Sequence, residues 1–514
     1  MVTPNDSPAR LDAGCDAAPR WERLLERRWP LVWAGLALAI ALGAAGKAAA
    51  RLLWHDELFT LYGALMPPRV LWGALSSGFD LQPPLGFLLT RLAIETLGEG
   101  LVATRLPALI GVVVGSVAVG LFVRREAGLV AGTVALLVPS VTAAYDYAYE
   151  ARPYGALFGA SALALLAWQA AGEGRRRGIA ALGLAAALAA AVSLHYYGAV
   201  LVLPLAAGEI ARWCRQRRPN APVWLALGAG VLPLVAFAPL MGAAAEYGDL
   251  FWTRASPAQI PYTYRYFLIP VALPMLVFLL AMTSLSAWGK ARGWHRRPPV
   301  PSTAALIATV SLLALPAAGV LLGAVVGGYR HRYVIASTVG VAAAAGMVVR
   351  PSRRAATTLM WVLMVWVVAR SASHSAALLQ PASPLLARHT MLQRALGEAG
   401  MSIVVINDAL YTQLHHYGSE DLRRRLAIVM PPDAPAAGRF QDSSERAMRA
   451  LARWRPISLI EYRELAARET PFFVYGDNHW LLVELQRAGA LVELVGEGYG
   501  HTLLRVNPGA RAYR

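Results

Sequence analysis

The sequence predicts an α-helical polytopic membrane protein with a small α/β soluble domain at its C-terminal end. Three observations predict it. Of 514 residues, 57% are hydrophobic and only 15% charged, with a mean hydropathy of +0.45, whereas about a quarter of residues are charged in ordinary soluble proteins. Apolar runs long enough to cross a bilayer about 30 Å thick recur as far as Arg370. Beyond Arg370 the pattern changes to short strand-like runs that alternate with amphipathic stretches.

The polar segment 1–29 carries Arg20, Arg23, Arg27 and Arg28 just ahead of the first apolar run. Only Lys and Arg weigh in orienting a span, so Glu22 and Glu26 offset little and the segment is placed in the cytoplasm. The run 31–50 is read as a retained anchor, because a cleavable signal has a shorter apolar core nearer the terminus. Further runs lie at 105–123, 127–144, 154–171, 178–194, 197–211, 222–241, 266–288, 302–327, 333–349 and 356–370. Numbered from a cytoplasmic N-terminus these make about eleven spans, and the basic clusters at 124–125, 175–177, 212–218, 290–297 and 350–354 then share the cytoplasmic face. The stretch 83–97 is short and interrupted by Arg91 and Glu95; it is assigned to an amphipathic interfacial helix inside a first external loop, 51–104.

The segment 385–514 is the α/β domain, with strands expected at 402–407, 472–476, 491–495 and 502–506 and helices near 385–399, 443–453 and 479–488. An odd number of spans, here residues 30–375, puts it outside. A net charge of +17 would suit nucleic acid, but the arginines sit in short clusters between apolar runs rather than along one face, so no nucleic-acid partner is expected. Cys15 and Cys214 are far apart and predict neither a disulfide nor a metal site.

The outer face collects the polar residues that the spans do not explain. It receives WHDELFTLYG (54–63), FDLQPPL (79–85), YDYAYEARPYG (145–155), SLHYYG (193–198), the loop 242–264 and YRHRY (329–333). Charge at a membrane surface is expensive unless used or solvated, and Asp56 with Glu57 forms an adjacent acidic pair there. A carboxylate facing water can take a proton from a hydroxyl, and arginines such as Arg330 and Arg332 can grip a phosphate two oxygens at a time. Plainer roles stand beside these. The acidic pair also suits a solvated loop end. Arg330 and Arg332 suit snorkelling to headgroups, Arg152 suits an ion pair with Glu150, His195 with Tyr196 and Tyr197 suits an interfacial aromatic belt, and Gln82 before Pro83 suits a helix start. The shared face is the argument for a site.

The order of these motifs resembles that of the GT-C membrane glycosyltransferases. It runs from the acidic pair through D-x-Q-P-P-L (80–85), T-R-L-P (104–107) and E-A-R-P-Y (150–154) to Arg332–Tyr333. Over 30–350 it is closest to the bacterial branch related to protein O-mannosyltransferases and lipid A aminoarabinose transferases. That resemblance implies an inverting enzyme of the bacterial inner membrane, working on the periplasmic side with a polyprenyl-phosphate sugar donor and a glycan, lipid or protein acceptor. Asp56 and Glu57 are the expected catalytic residues. Asp80, Gln82, Glu150, Arg152, Tyr154, His195, Tyr196, Arg330, Arg332 and Tyr333 are the expected substrate-binding residues. Gln82 stands where many relatives have His, which weakens any metal role there. No cofactor is required; a divalent metal would find oxygens on Asp56, Glu57, Asp80 and Glu150. A transporter or flippase for a lipid-linked saccharide is the alternative. That reading requires charged or broken helices at mid-membrane, and apart from Lys47 the spans offer few buried charges. A third reading is a non-catalytic scaffold.

Overall fold

The computed structural model describes residues 20–508, apart from 174–175, 247–252, 287–297, most of 380–399, 431–442, 477–478 and 499. The expected helix at 385–399 and the Cys15 position therefore lie outside the described residues, or nearly so.

The first span is α1 (Arg20–Ala50), a 31-residue helix with Pro30 near its start. Three helices then fill the stretch expected as one external loop with a single interfacial helix: α2 (His55–Leu65), α3 (Pro68–Ser76) and α4 (Leu85–Leu97). Only α4 had been expected. A prolonged apolar run is not needed for α2, because Glu57 at its third position reaches back to the Trp54 N–H at 3.2 Å and so caps the helix. The acids Asp56 and Glu57 also suit the positive end of the helix dipole.

After α5 (Leu101–Ala127) and α6 (Leu129–Leu137) come α7 (Tyr154–Gly172) and α8 (Arg177–Leu194). The α5–α7 seam is glycine-lined: a Cβ at Gly111 would stand 2.4 Å from the Ala156 Cα, and one at Gly159 would stand 2.5 Å from the Gly111 carbonyl oxygen. Backbone-to-backbone contact of this kind is how membrane helices pack without large side chains, and it fixes the loop ahead of Tyr154 against the start of α5.

Among the described residues six helices are long and apolar enough to cross a membrane, or up to nine if each bent pair counts as one span. The helix Ser337–Val349 is apolar and shorter. The structure thus gives a many-helix membrane body without fixing the number at eleven. One end of that body is basic and the other holds the acidic loop. At the basic end Arg353 pairs with Glu22 at 2.5 Å, Arg124 lies over the Trp29 ring at 3.8 Å, and Arg212 pairs with Glu209 at 2.6 Å. Cys214 at this end is a free, exposed thiol.

The C-terminal domain contains a sheet of six strands among the described residues, in the order β3-β2-β1-β4-β6-β5. These are β1 (Ile403–Val405), β2 (Leu426–Met430), β3 (Leu459–Glu461), β4 (Phe472–Gly476), β5 (Leu491–Gly498) and β6 (His501–Asn507). The first four run parallel; β6 is antiparallel to β4 and to β5. The four expected strands are present, as are helices Ser443–Ala452 and His479–Arg487. Sequence reading missed β2 and β3, since a five-residue buried run and a three-residue strand carry too little pattern to separate from a helix segment. It also missed the helix Asp408–Tyr417. This helix faces α2, so the domain sits at the same end of the bundle as Asp56.

Candidate active site

Asp56 and Glu57 are neighbours in sequence and occupy opposite environments. Glu57 is fully buried. Its carboxylate accepts from Arg105 Nε and Nη2, both at 2.6 Å, from the Ala151 N–H at 2.6 Å and from the Trp54 N–H at 3.2 Å. Arg105, equally buried, spends its remaining donors on the carbonyls of Ala48, Arg51 and Leu52. One ion pair thereby joins the end of α1, the start of α2, the start of α5 and the loop ahead of α7. Four donors thus fill the Glu57 carboxylate, which was expected as a second catalytic group. Arg105 was the missed partner. Its signal was a lone arginine, the fifth residue of α5 at the head of an apolar span, where a charge must face the bundle interior and be paired.

Asp56 turns the other way. Its side chain is 22% exposed, with Arg332 Nη2 at 3.4 Å and Arg152 Nε at 4.0 Å. Arg152 pairs with Asp80 at 2.8 Å and also donates to the Asp56 carbonyl at 3.2 Å. The ion pair between Arg152 and Glu150 considered from sequence is replaced by this one with Asp80, contributed by the loop ahead of α4. Asp80 in turn accepts from the Gln82 N–H at 3.2 Å.

Gln82 and Arg152 line a narrow cleft with room for about one water-sized group, with Phe87, Thr104 and Ala151 also in its wall. There Gln82 Oε1 and Arg152 Nε are buried without a hydrogen-bond partner. Buried polar atoms are nearly always paired, so these two are where a ligand group or water would be bound.

Behind the charged groups lies an aromatic wall. Tyr154 stands 5.7 Å from His195 and 6.3 Å from Tyr333, His195 is 4.5 Å from Tyr333, and the Arg332 guanidinium lies 5.2 Å over the Tyr154 ring. His195 Nδ1 accepts from the Tyr197 N–H at 3.1 Å. Burial, with Arg152 and Arg332 nearby, pushes the His195 pKa down to about 3, so the imidazole is neutral. It is neither a belt residue nor a proton carrier near neutral pH. Tyr196 packs on Phe237 at 6.5 Å, and the half-buried Arg330 lies beside Arg332 and Tyr333. Glu150 is partly buried in the loop between these groups. Burial pushes its pKa up from 4.5 to about 7, opposed by Arg332 and reinforced by Glu57 and Asp56.

Residues 81–242 match the family model described as dolichyl-phosphate-mannose-protein mannosyltransferase. Two solved structures share the fold. ArnT from Cupriavidus metallidurans in the apo state is 13% identical with a TM-score of 0.56, covering 93% of this chain and 98% of that one. The same protein bound to undecaprenyl phosphate is 12% identical with a TM-score of 0.51, covering 95% and 99%. No curated protein sequence matches significantly. The matched stretch is thus similar to that mannosyltransferase family, and the chain as a whole shares the ArnT fold.

Proposed function

We propose that the protein moves a sugar, a hexosyl or pentosyl group, from a polyprenyl-phosphate donor to an acceptor hydroxyl at the non-cytoplasmic side of the bacterial inner membrane. The observation that carries this reading is Asp56: a partly open carboxylate held between Arg332 and Arg152, next to a sequestered twin. In the reaction Asp56 takes the acceptor proton as the acceptor oxygen bonds to the sugar C1. The bond from C1 to the phosphate oxygen breaks, and polyprenyl phosphate departs with the electron pair. A single displacement inverts the anomeric configuration. Arg152 and Arg332 stabilise the charge that develops on the leaving phosphate, an electrostatic contribution strongest in a partly desolvated site. A phosphate leaving group needs little help from an acid.

The choice of donor is supported by the undecaprenyl phosphate bound to the ArnT structure of like fold. Sidedness is supported by the basic clusters at the end opposite Asp56. The acceptor class, whether glycan, lipid or protein, is open to assay. As for a metal, Glu57 and Asp80 are already engaged by Arg105 and Arg152. Among the described residues no three His, Cys, Asp or Glu side chains are grouped to hold an ion. We therefore route no step through a metal and expect transfer to persist in excess chelator.

The test is transfer of radiolabelled sugar from a panel of polyprenyl-phosphate donors into membranes, wild type against Asp56→Asn. Label incorporated by the wild type alone supports the reading and identifies donor and acceptor. Full transfer by Asp56→Asn overturns it. Labelled lipid that changes leaflet without being consumed would favour the transporter instead.

A further inference from the structure

We propose that the C-terminal domain is a working part of the catalytic loop: the helix Asp408–Tyr417 holds the chain immediately ahead of Asp56, making Asp408, Gln413 and Tyr417 positioning residues for that carboxylate. The inference rests on Asp56 being the reactive group.

The helix presents one face to the loop. Residues 408, 412 and 416, with 413 and 417 beside them, fall at the three- and four-residue spacing that puts side chains on one side of a helix. The Leu53 N–H donates to the Tyr417 hydroxyl at 2.7 Å, and the Leu53 carbonyl accepts from Gln413 Nε2 at 3.1 Å. Both backbone groups of that residue are thus taken by the C-terminal domain. His55, adjacent to Asp56, has both ring nitrogens engaged: Nε2 with Asp408 at 3.2 Å and Nδ1 with the Thr412 hydroxyl at 3.0 Å. Further along α2, the Tyr62 hydroxyl meets His416 at 3.3 Å while Arg455 lies 4.1 Å over the Tyr62 ring.

An appended domain by default moves relative to its neighbour, because such interfaces are small and polar. This one shares a core. Leu53, Leu58, Phe59, Leu61 and Tyr62 belong to the same buried cluster as Leu410, Tyr411 and Leu414.

The consequence follows from what Asp56 lacks. Among the described residues its carboxylate makes only the long contacts to Arg332 and Arg152, so its position is inherited from the backbone on either side. On the C-terminal side Glu57 is locked by Arg105. On the N-terminal side the lock is supplied by the C-terminal domain. A misplacement of about 1 Å can cost roughly 100-fold in rate, so releasing one side should lower turnover without removing any group that touches substrate.

The experiment uses the full-length chain with Tyr417→Phe, Asp408→Asn and the conservative Asp408→Glu. It measures kcat, donor KM, thermal midpoint and hydrogen exchange of the peptide 52–57. Expected for Tyr417→Phe and Asp408→Asn is a kcat lower by about tenfold or more, with KM and thermal midpoint held and exchange in 52–57 faster; Asp408→Glu recovers part of the loss. Wild-type kcat in both variants overturns the proposal, whether or not exchange changes. A joint fall of kcat, KM and thermal midpoint, unrescued by Asp408→Glu, also overturns it, in favour of a merely structural contact. Asp56→Asn run in parallel separates the two ideas. If it transfers sugar normally, the assignment of the base has failed; faster exchange in Tyr417→Phe would still show that the domain holds the loop.

Discussion

Two adjacent carboxylates divide the molecule into a closed region and an open one. On the closed side, Glu57 and Arg105 are wholly buried, and each polar atom of the pair is matched by a partner from α1, α2, α5 or the loop before α7. On the open side Asp56 meets Arg332 and Arg152 only at 3.4 and 4.0 Å, and Arg152 Nε and Gln82 Oε1 border the cleft. The difference teaches how such a site is built. The closed pair is desolvated and saturated, whereas the Asp56 carboxylate keeps a partly exposed face.

The sharpest way to break the closed region is Arg105→Ala. It leaves the Glu57 carboxylate buried and unpaired, which costs roughly 3–5 kcal/mol, so loss of folded protein from membranes is expected, measured by thermal unfolding of the detergent extract. Next comes the open region. Asp56→Asn should lower kcat by roughly 10²–10⁴-fold with the thermal midpoint unchanged. If instead it unfolds the protein while Arg105→Ala does not, the comparison is inverted. A smaller effect belongs to Arg332→Lys, which keeps charge but loses the planar fork. About a tenfold loss of kcat is expected, short of the roughly 100-fold or more for removal of a stabilising donor.

The smallest effect concerns Glu150, which lies between the two regions. Its folded pKa, about 7, is raised above the usual 4.5 by burial, so the folded state binds the proton more tightly than the unfolded state. Its contribution to stability is full below 4.5 and is lost as pH rises through about 7. Thermal midpoints measured across this window should fall for wild type and lose that component in Glu150→Gln. An unchanged slope in the variant would remove Glu150 as the group responsible.

Much of this was legible beforehand because hydropathy and charge sidedness are properties of the chain in order. Asp56, Asp80, Arg152 and Arg332 were grouped because the alternation of spans returned them to one face, and the structure brings these four within a connected set of ion pairs. The separate surroundings of Glu57 were not legible in this way: sequence places it beside Asp56, but neighbours on a helix turn point in different directions. One is partly exposed beside Arg332 and Arg152 and the other faces Arg105, 48 positions away. His55 went unnoticed since its partner Asp408 belongs to another domain.

The sequence by itself determined a basic-ended membrane bundle, a separate α/β domain and the face on which the polar motifs meet, because burial in lipid demands long apolar runs wherever they fall in the chain. Only the tertiary structure decided which carboxylate is sealed, which arginine pairs with which acid, and that the C-terminal helix grips the loop ahead of Asp56. Those outcomes depend on desolvation and on hydrogen-bond geometry within about 3 Å, and neither is defined until distant segments are packed together.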